Sequence, residues 1–148
     1  VAIVYQHILL PVDGSPASKT AAEGGIAFAA QVGARVTVLH VIEPLHLFTY
    51  EFDVTEQIHE EWRRKRDASA AELVAPVERR AHEANVPCNA VLVQADQPYE
   101  AIINTAHEQL CDLIVMGSHG RQGMGGLLLG SQTQKVLTHS AMPVLVFR

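Results

Sequence analysis

An open α/β fold built on a parallel sheet is predicted for this chain by three observations. Short aliphatic runs recur along it, longer helix-like stretches separate them, and the runs lack the strict polar alternation of a sheet wetted on one face. The runs are His7 to Val12, Ala34 to Val41, Cys88 to Val93, Leu113 to Met116 and Pro143 to Phe147. Five strands with four helical connections follow. No repeat, linker or low-complexity tract interrupts them, so residues 1–148 read as one domain.

The helices are marked by their ends. Ser15 before Pro16 supplies a hydroxyl cap and a residue preset for the first helical turn, and Gly33 stands where a glycine ends a helix, so the first helix spans about Pro16 to Val32. Gly24 and Gly25 in its middle each cost about 1 kcal/mol relative to alanine unless they let the helix pack closely on the sheet. A polar stretch rich in Ala, Glu and Arg from about Glu51 to Ala84 fits one long helix, which Pro76 is expected to kink or divide. Asp96 or Gln97 before Pro98 opens a third helix running to about Gln109. Ser131 with Gln134 three positions later forms a capping box for a fourth, ending near Ser140.

Composition narrows the function classes. With 48% apolar residues in 148, the chain can bury a core without staples, at roughly 68–70% of its unfolded surface. No apolar run approaches the ~20 residues of a bilayer crossing and no signal peptide opens the chain, so a soluble, cytoplasmic protein without a membrane partner is expected. Eleven Lys plus Arg against 16 Asp plus Glu, a net charge of −5, argue against a sequence-independent grip on nucleic acid. The run Arg63, Arg64, Lys65, Arg66 follows Glu56, Glu60 and Glu61 on the same predicted helix and reads as a solvated face. Cys88 and Cys111 lack CxxC spacing and read as buried thiols, and His59, His82 and His107, each followed by Glu, lack the second histidine of a zinc helix.

Chemistry concentrates in one loop. Six of the ten glycines lie between 117 and 130, after the fourth strand and before the fourth helix. Ligands of open α/β sheets bind at that edge, and glycines beside a helix start bring backbone N–H groups close to an anion. A phosphate suits such a loop, although the same glycines could serve only to turn the chain. The GxxxxGK[ST] and GxGxxG patterns are absent, and GxSxG fails because Met116 stands two positions before Ser118.

What is present is Gly117, two residues, Gly120, nine residues, Gly130 and then Ser131. This spacing resembles the nucleotide-binding signature of the universal stress protein family, in its ATP-binding branch. Ile8 to Ser15, Leu39 to Val41 and Met142 to Val146 are similar to that family's opening strand and turn, the end of its second strand and its closing strand.

The resemblance implies the adenine nucleotide alpha hydrolase-like architecture: strand order 3-2-1-4-5, helices on both faces, and a cleft over the first, second and fourth strands. It places Pro11, Val12 and Asp13 on the nucleoside side and Val41 at the adenine. Met116, Gly117 and Gly120 fall at the ribose and inner phosphates, and Gly130, Ser131 and the N–H groups that follow at the outer phosphates, with Ser118, Arg121 and Gln132 also expected among the nucleotide-binding residues. ATP brings close to four negative charges and the loop only Arg121, so backbone amides and Mg²⁺ or Mn²⁺ are expected to neutralise the rest, with Asp13 reaching the ion or the ribose hydroxyls, or else serving only as an Asx-turn residue before Gly14. The resemblance further implies a homodimer through Val144 to Phe147 and a role in stress adaptation.

Asp13, His119 and Arg121 have no catalytic spacing, so hydrolysis is expected to be slow or absent. Two other readings stay open: a phosphate or acyl ester hydrolase, if His119 or Asp13 reaches Ser118, and a nucleotide-free interaction module. Leu45, Leu47, Phe48, Tyr50 and Phe52 read as packing under the long helix, a lid or a subunit contact, and Trp62 as an interface residue or a partly buried one.

Overall fold

The computed structural model describes residues 4–44, 56–119 and 129–148. The elements run β1 (His7–Pro11), α1 (Pro16–Val32), β2 (Arg35–Ile42), α2 (Glu56–Glu83), β3 (Cys88–Gln94), α3 (Pro98–Glu108), β4 (Leu113–Gly117), α4 (Ser131–His139) and β5 (Val144–Phe147). All four neighbouring strand pairs are parallel, in the order β3-β2-β1-β4-β5.

Both faces of the central strands are covered, which is why their sequences are continuously apolar. Ile8, Leu10, Val36 and Val115 pack with Ile26 and Ala29 of α1 and Ala81 of α2. Their alternates Leu9, Leu39, Ile114 and Met116 pack with Ile102 and Ala106 of α3 and Val136 of α4. Successive side chains of one strand therefore enter two different cores.

Sequence punctuation and structure agree closely at α1. Ser15 Oγ accepts from Ser18 N at 3.1 Å, and Gly33 ends the helix in the left-handed region at φ 74°. The two mid-helix glycines are explained by closeness. A Cβ on Gly25 would lie 2.5 Å from Leu10 Cδ2, and one on Gly24 would enter the Phe147 ring. Helix propensity is sacrificed there so that α1 can seat against β1 and β5.

α2 is continuous through Pro76, which is exposed. Ala70, Val74, Val77 and Ala81 form a single inward stripe at spacings of four, three and four, so the helix keeps one face on the sheet across the proline. Trp62 and Ile58, on the first two turns, are exposed.

A polar chain crosses the amino end of the sheet, buried at His7 and Thr37 and reaching exposed Asn89. The His7 ring Nε2 lies 2.7 Å from Thr37 Oγ1, which donates to Asn89 Oδ1 at 2.7 Å, so the imidazole is the donor to Thr37. Burial first and Arg35 second hold the His7 pKa below its ordinary 6.5, while the Gln109 backbone and Asp112 oppose the shift. The unfolded chain therefore takes up a proton near pH 6.5 that the folded one refuses. Stability is expected to be full above that pH and to fall as pH drops through the window between 6.5 and the lower folded value. Urea midpoints at pH 7.5 and pH 5.5 check this, and His7→Gln should flatten the difference.

Candidate nucleotide site at the carboxyl edge of the sheet

β1 and β4 are neighbours whose onward connections diverge: α1 leads to β2 on one side and α4 to β5 on the other. The crevice above such a divergence is where open α/β sheets hold ligands. Seven of the residues expected at the site, Pro11, Val12, Asp13, Val41, Met116, Gly117 and Ser118, come from the ends of β1, β2 and β4 or directly after them.

The β1 end is tightly organised. Val12 donates its N–H to Leu39 O at 2.8 Å, its carbonyl accepts from His40 Nδ1 at 2.8 Å, and its side chain packs with Ala22, Val38 and Val74. Both main-chain polar groups of Val12 and its side chain thus serve the fold. Asp13 Oδ1 accepts from Ser15 N at 2.9 Å, an Asx turn over Gly14, and Asp13 N donates to Ser18 Oγ at 3.2 Å. Pro11, Asp13 and Val41 are half-buried along this rim, and Val41 packs on the cluster around Leu9 and Leu39. His40, which joins the ends of β1 and β2, was not singled out from the sequence. A lone histidine in an otherwise apolar strand was the available signal.

Met116 is buried in the α3–α4 core, so its side chain supports the floor from below. Gly117 ends β4 against the first turn of α1, where a Cβ would meet Ala17 O at 2.7 Å. Ser118 is 4% exposed and donates its N–H to Phe147 O at 2.7 Å; its Oγ lies 2.8 Å from His119 Nδ1. Gly120 and Arg121 fall outside the described residues, as does the apolar group from Leu45 to Phe52.

The far end of the glycine loop is pinned to its near end. Gly130 N donates to Ser118 O at 2.5 Å, and Thr133 Oγ1 donates to Gly117 O at 2.9 Å. The amide of Gly130 is therefore engaged within the protein and is not open for the grip on outer phosphates expected of it. The expected capping box is also corrected: Gly130, not Ser131, is the N-cap and no side chain caps the helix. Gln134 Nε2 instead reaches Leu129 O at 3.3 Å, and Ser131 is the first helical residue. Ser131, Gln132 and Thr133 thus present the opening N–H groups of α4, which have no carbonyl inside the helix to bond. No acidic residue sits in that first turn to oppose an anion. The Gln132 carboxamide has a structural partner, its Oε1 accepting from Tyr99 N at 2.9 Å.

Among the described residues no group of three His, Cys, Asp or Glu could hold a metal ion. A groove of about 480 Å³ lies between the end of β3 and α3, lined by Gln94, Asp96, Gln97, Glu100, Asn104 and Glu108 among others; its acidic groups do not favour phosphate. Another, of about 560 Å³, lies at the opposite end of the sheet beside Cys88. Burial pushes the Cys88 thiol up to about 11 and that of Cys111 up to about 12; neither is in a disulfide. No helix among the described residues is long and apolar enough to cross a membrane.

Residues 4–148 match the model of the universal stress protein family. The chain belongs to this family. It is 34% identical to the Thermus aquaticus "Universal stress protein in QAH/OAS sulfhydrylase 3'region", over 98% of this chain and all of that one. The solved structure of the Methanocaldococcus jannaschii universal stress protein MJ0577 superposes with a TM-score of 0.81 at 29% identity, covering 97% of this chain and 96% of that one. A universal stress protein solved in complex with cAMP shares the fold, with a TM-score of 0.72 and 23% identity over 99% and 98% of the two chains. The five-stranded parallel sheet in 3-2-1-4-5 order is thus that of the family.

Proposed function

We propose that this universal stress protein is a single-domain ATP-binding module that responds to the nucleotide, with hydrolysis slow or absent. The observation that carries the reading is the start of α4. Its N-terminus lacks a side-chain cap and an opposing acid, and Gly117 and Ser118 bolt it to the end of β4 at the divergence of the sheet. Amides so fixed meet a polyphosphate without reorganising, and the helix dipole adds to their attraction. Adenine would lie toward Val41 and the ribose between Asp13 and Gly117. The cAMP complex of a family member supports an adenine nucleotide as the ligand class.

Asp13 would be the protein group that holds Mg²⁺ or Mn²⁺, directly or through its water. When bound, the ion neutralises phosphate charge that this chain's few cations leave uncovered. Ligand binding would alter a surface that partners read. The outer edge of β5, where Leu145 is 36% exposed, would pair with the same strand of a second copy. We place the protein in the cytoplasm, acting in stress adaptation without a membrane or nucleic-acid partner.

Isothermal titration with ATP, ADP and AMP, each with and without Mg²⁺, tests the proposal. Heats and affinities should rise with phosphate number; equal values for all three would reject the role of the α4 amides. Gly130 has φ −60° and ψ 151°, which valine tolerates. Gly130→Val should therefore fold normally and lose about tenfold or more in ATP affinity by blocking the backbone's approach. A second reading, an ester hydrolase, draws on the 2.8 Å contact between Ser118 and His119. Burial of Ser118 opposes it, because a nucleophile must meet its substrate. Turnover of p-nitrophenyl acetate or phosphate that disappears in Ser118→Ala would favour that reading.

A further inference from the structure

Gln132 supplies something that neither neighbouring helix supplies for itself. α3 opens behind Gln97, whose side chain makes no cap bond, which leaves the N–H of Tyr99 in need of an acceptor. Gln132 Oε1 provides it from the first turn of α4, at 2.9 Å and 33 positions along the chain. A backbone N–H can only donate, so this bond fixes which end of the carboxamide faces α3. Tyr99 is held from the same side by Lys135, whose Nζ lies 5.3 Å from the ring centroid, and by His139, whose ring centroid is 5.3 Å away. The first turn of α4 is therefore tied to β4 through Thr133 and Gly130, and to α3 through Gln132.

We propose that Gln132 is a positioning residue of the nucleotide site: its carboxamide caps α3 and so aims the opening amides of α4, while only its backbone N–H meets phosphate. This rests on the nucleotide-binding reading above. Ligand and cap act on the same turn of helix, so each strengthens the other. ATP binding slows exchange of the Tyr99 amide, and loss of the cap weakens ATP.

The test titrates wild type, Gln132→Ala and Gln132→Glu with ATP and Mg²⁺, and follows hydrogen exchange at the Tyr99 amide in all three. Gln132→Ala should lose about five-fold in affinity, as expected for a lost helix cap, with faster Tyr99 exchange. Gln132→Glu should keep the Tyr99 protection, because a carboxylate oxygen can take the same N–H near a helix start, while its negative charge in the first turn of α4 lowers ATP affinity. Tyr99 exchange as fast in Gln132→Glu as in Gln132→Ala would show that an oxygen at this position is not the acceptor, and that result overturns the proposal. Unchanged Tyr99 exchange in Gln132→Ala also overturns it. Absence of ATP binding by the wild type would instead reject the nucleotide reading itself.

Discussion

Gly117→Ala should destabilise the protein by about 2–3 kcal/mol, roughly 5–10 °C in Tm, without any ligand present. The new Cβ would lie 2.7 Å from the carbonyl oxygen of Ala17, 2.8 Å from its carbonyl carbon and 3.2 Å from its Cβ. These are atoms of a helix backbone, not the tip of a side chain that could rotate away, so one element must withdraw. The first turn of α1 is held by the Ser15 cap and the Asp13 turn, and the end of β4 by Ser118 N to Phe147 O and by Thr133 to Gly117 O. Movement of either would loosen the bond between Ser118 and Gly130 that fixes α4, so ATP affinity should fall along with stability. Thermal and denaturant unfolding measure the first effect and titration the second. An unaltered Tm would contradict the close approach of β4 to α1.

Pro76→Ala should act in the opposite direction. A proline inside a helix lacks the N–H that would bond the carbonyl of Glu72, and its ring crowds that carbonyl, at about 3 kcal/mol relative to alanine. Proline also restricts the unfolded chain, a gain of roughly 0.4–1 kcal/mol that the substitution gives up. A net stabilisation of about 2 kcal/mol is expected. The exposure of Pro76 and the unbroken stripe from Ala70 to Ala81 mean that no contact made by the ring offsets this. Urea unfolding measures it, and an unchanged midpoint would show that a bend at Pro76 helps seat α2. ATP affinity should stay the same, since Pro76 is exposed and lies off the stripe that packs on the sheet.

Much of this fold was legible because its signals are local. Continuous aliphatic runs identified strands covered on both faces, and Ser15-Pro16 with Gly33 bounded α1 at the residues observed. Spacing alone marked Gly117, Gly130 and Ser131, which the structure brings to the end of β4 and the start of α4. Legibility failed where two local signals competed or where the partner was remote. Ser131 and Gln134 satisfy a capping box on paper, yet Gly130 takes the cap position, its N–H bonded to Ser118. Pro76 announced a break, but burial of Ala70, Val74 and Ala81 on one face keeps the helix whole. Gly24 and Gly25 weakened the case for α1 until Leu10 and Phe147 explained them.

The amino-acid sequence by itself determined the alternation of strands and helices, the position of the glycine loop and the family to which the chain belongs, because hydrophobic period, caps and glycine spacing are written over a few neighbouring residues. Only the tertiary structure decided which amides remain at the head of α4, that Val12 and Met116 serve the core, that Gln132 caps a helix 33 positions away and that His7 is buried beside Thr37. Those outcomes depend on strand order and register, which choose each polar group's partner from distant parts of the chain, and no short window of sequence contains both partners.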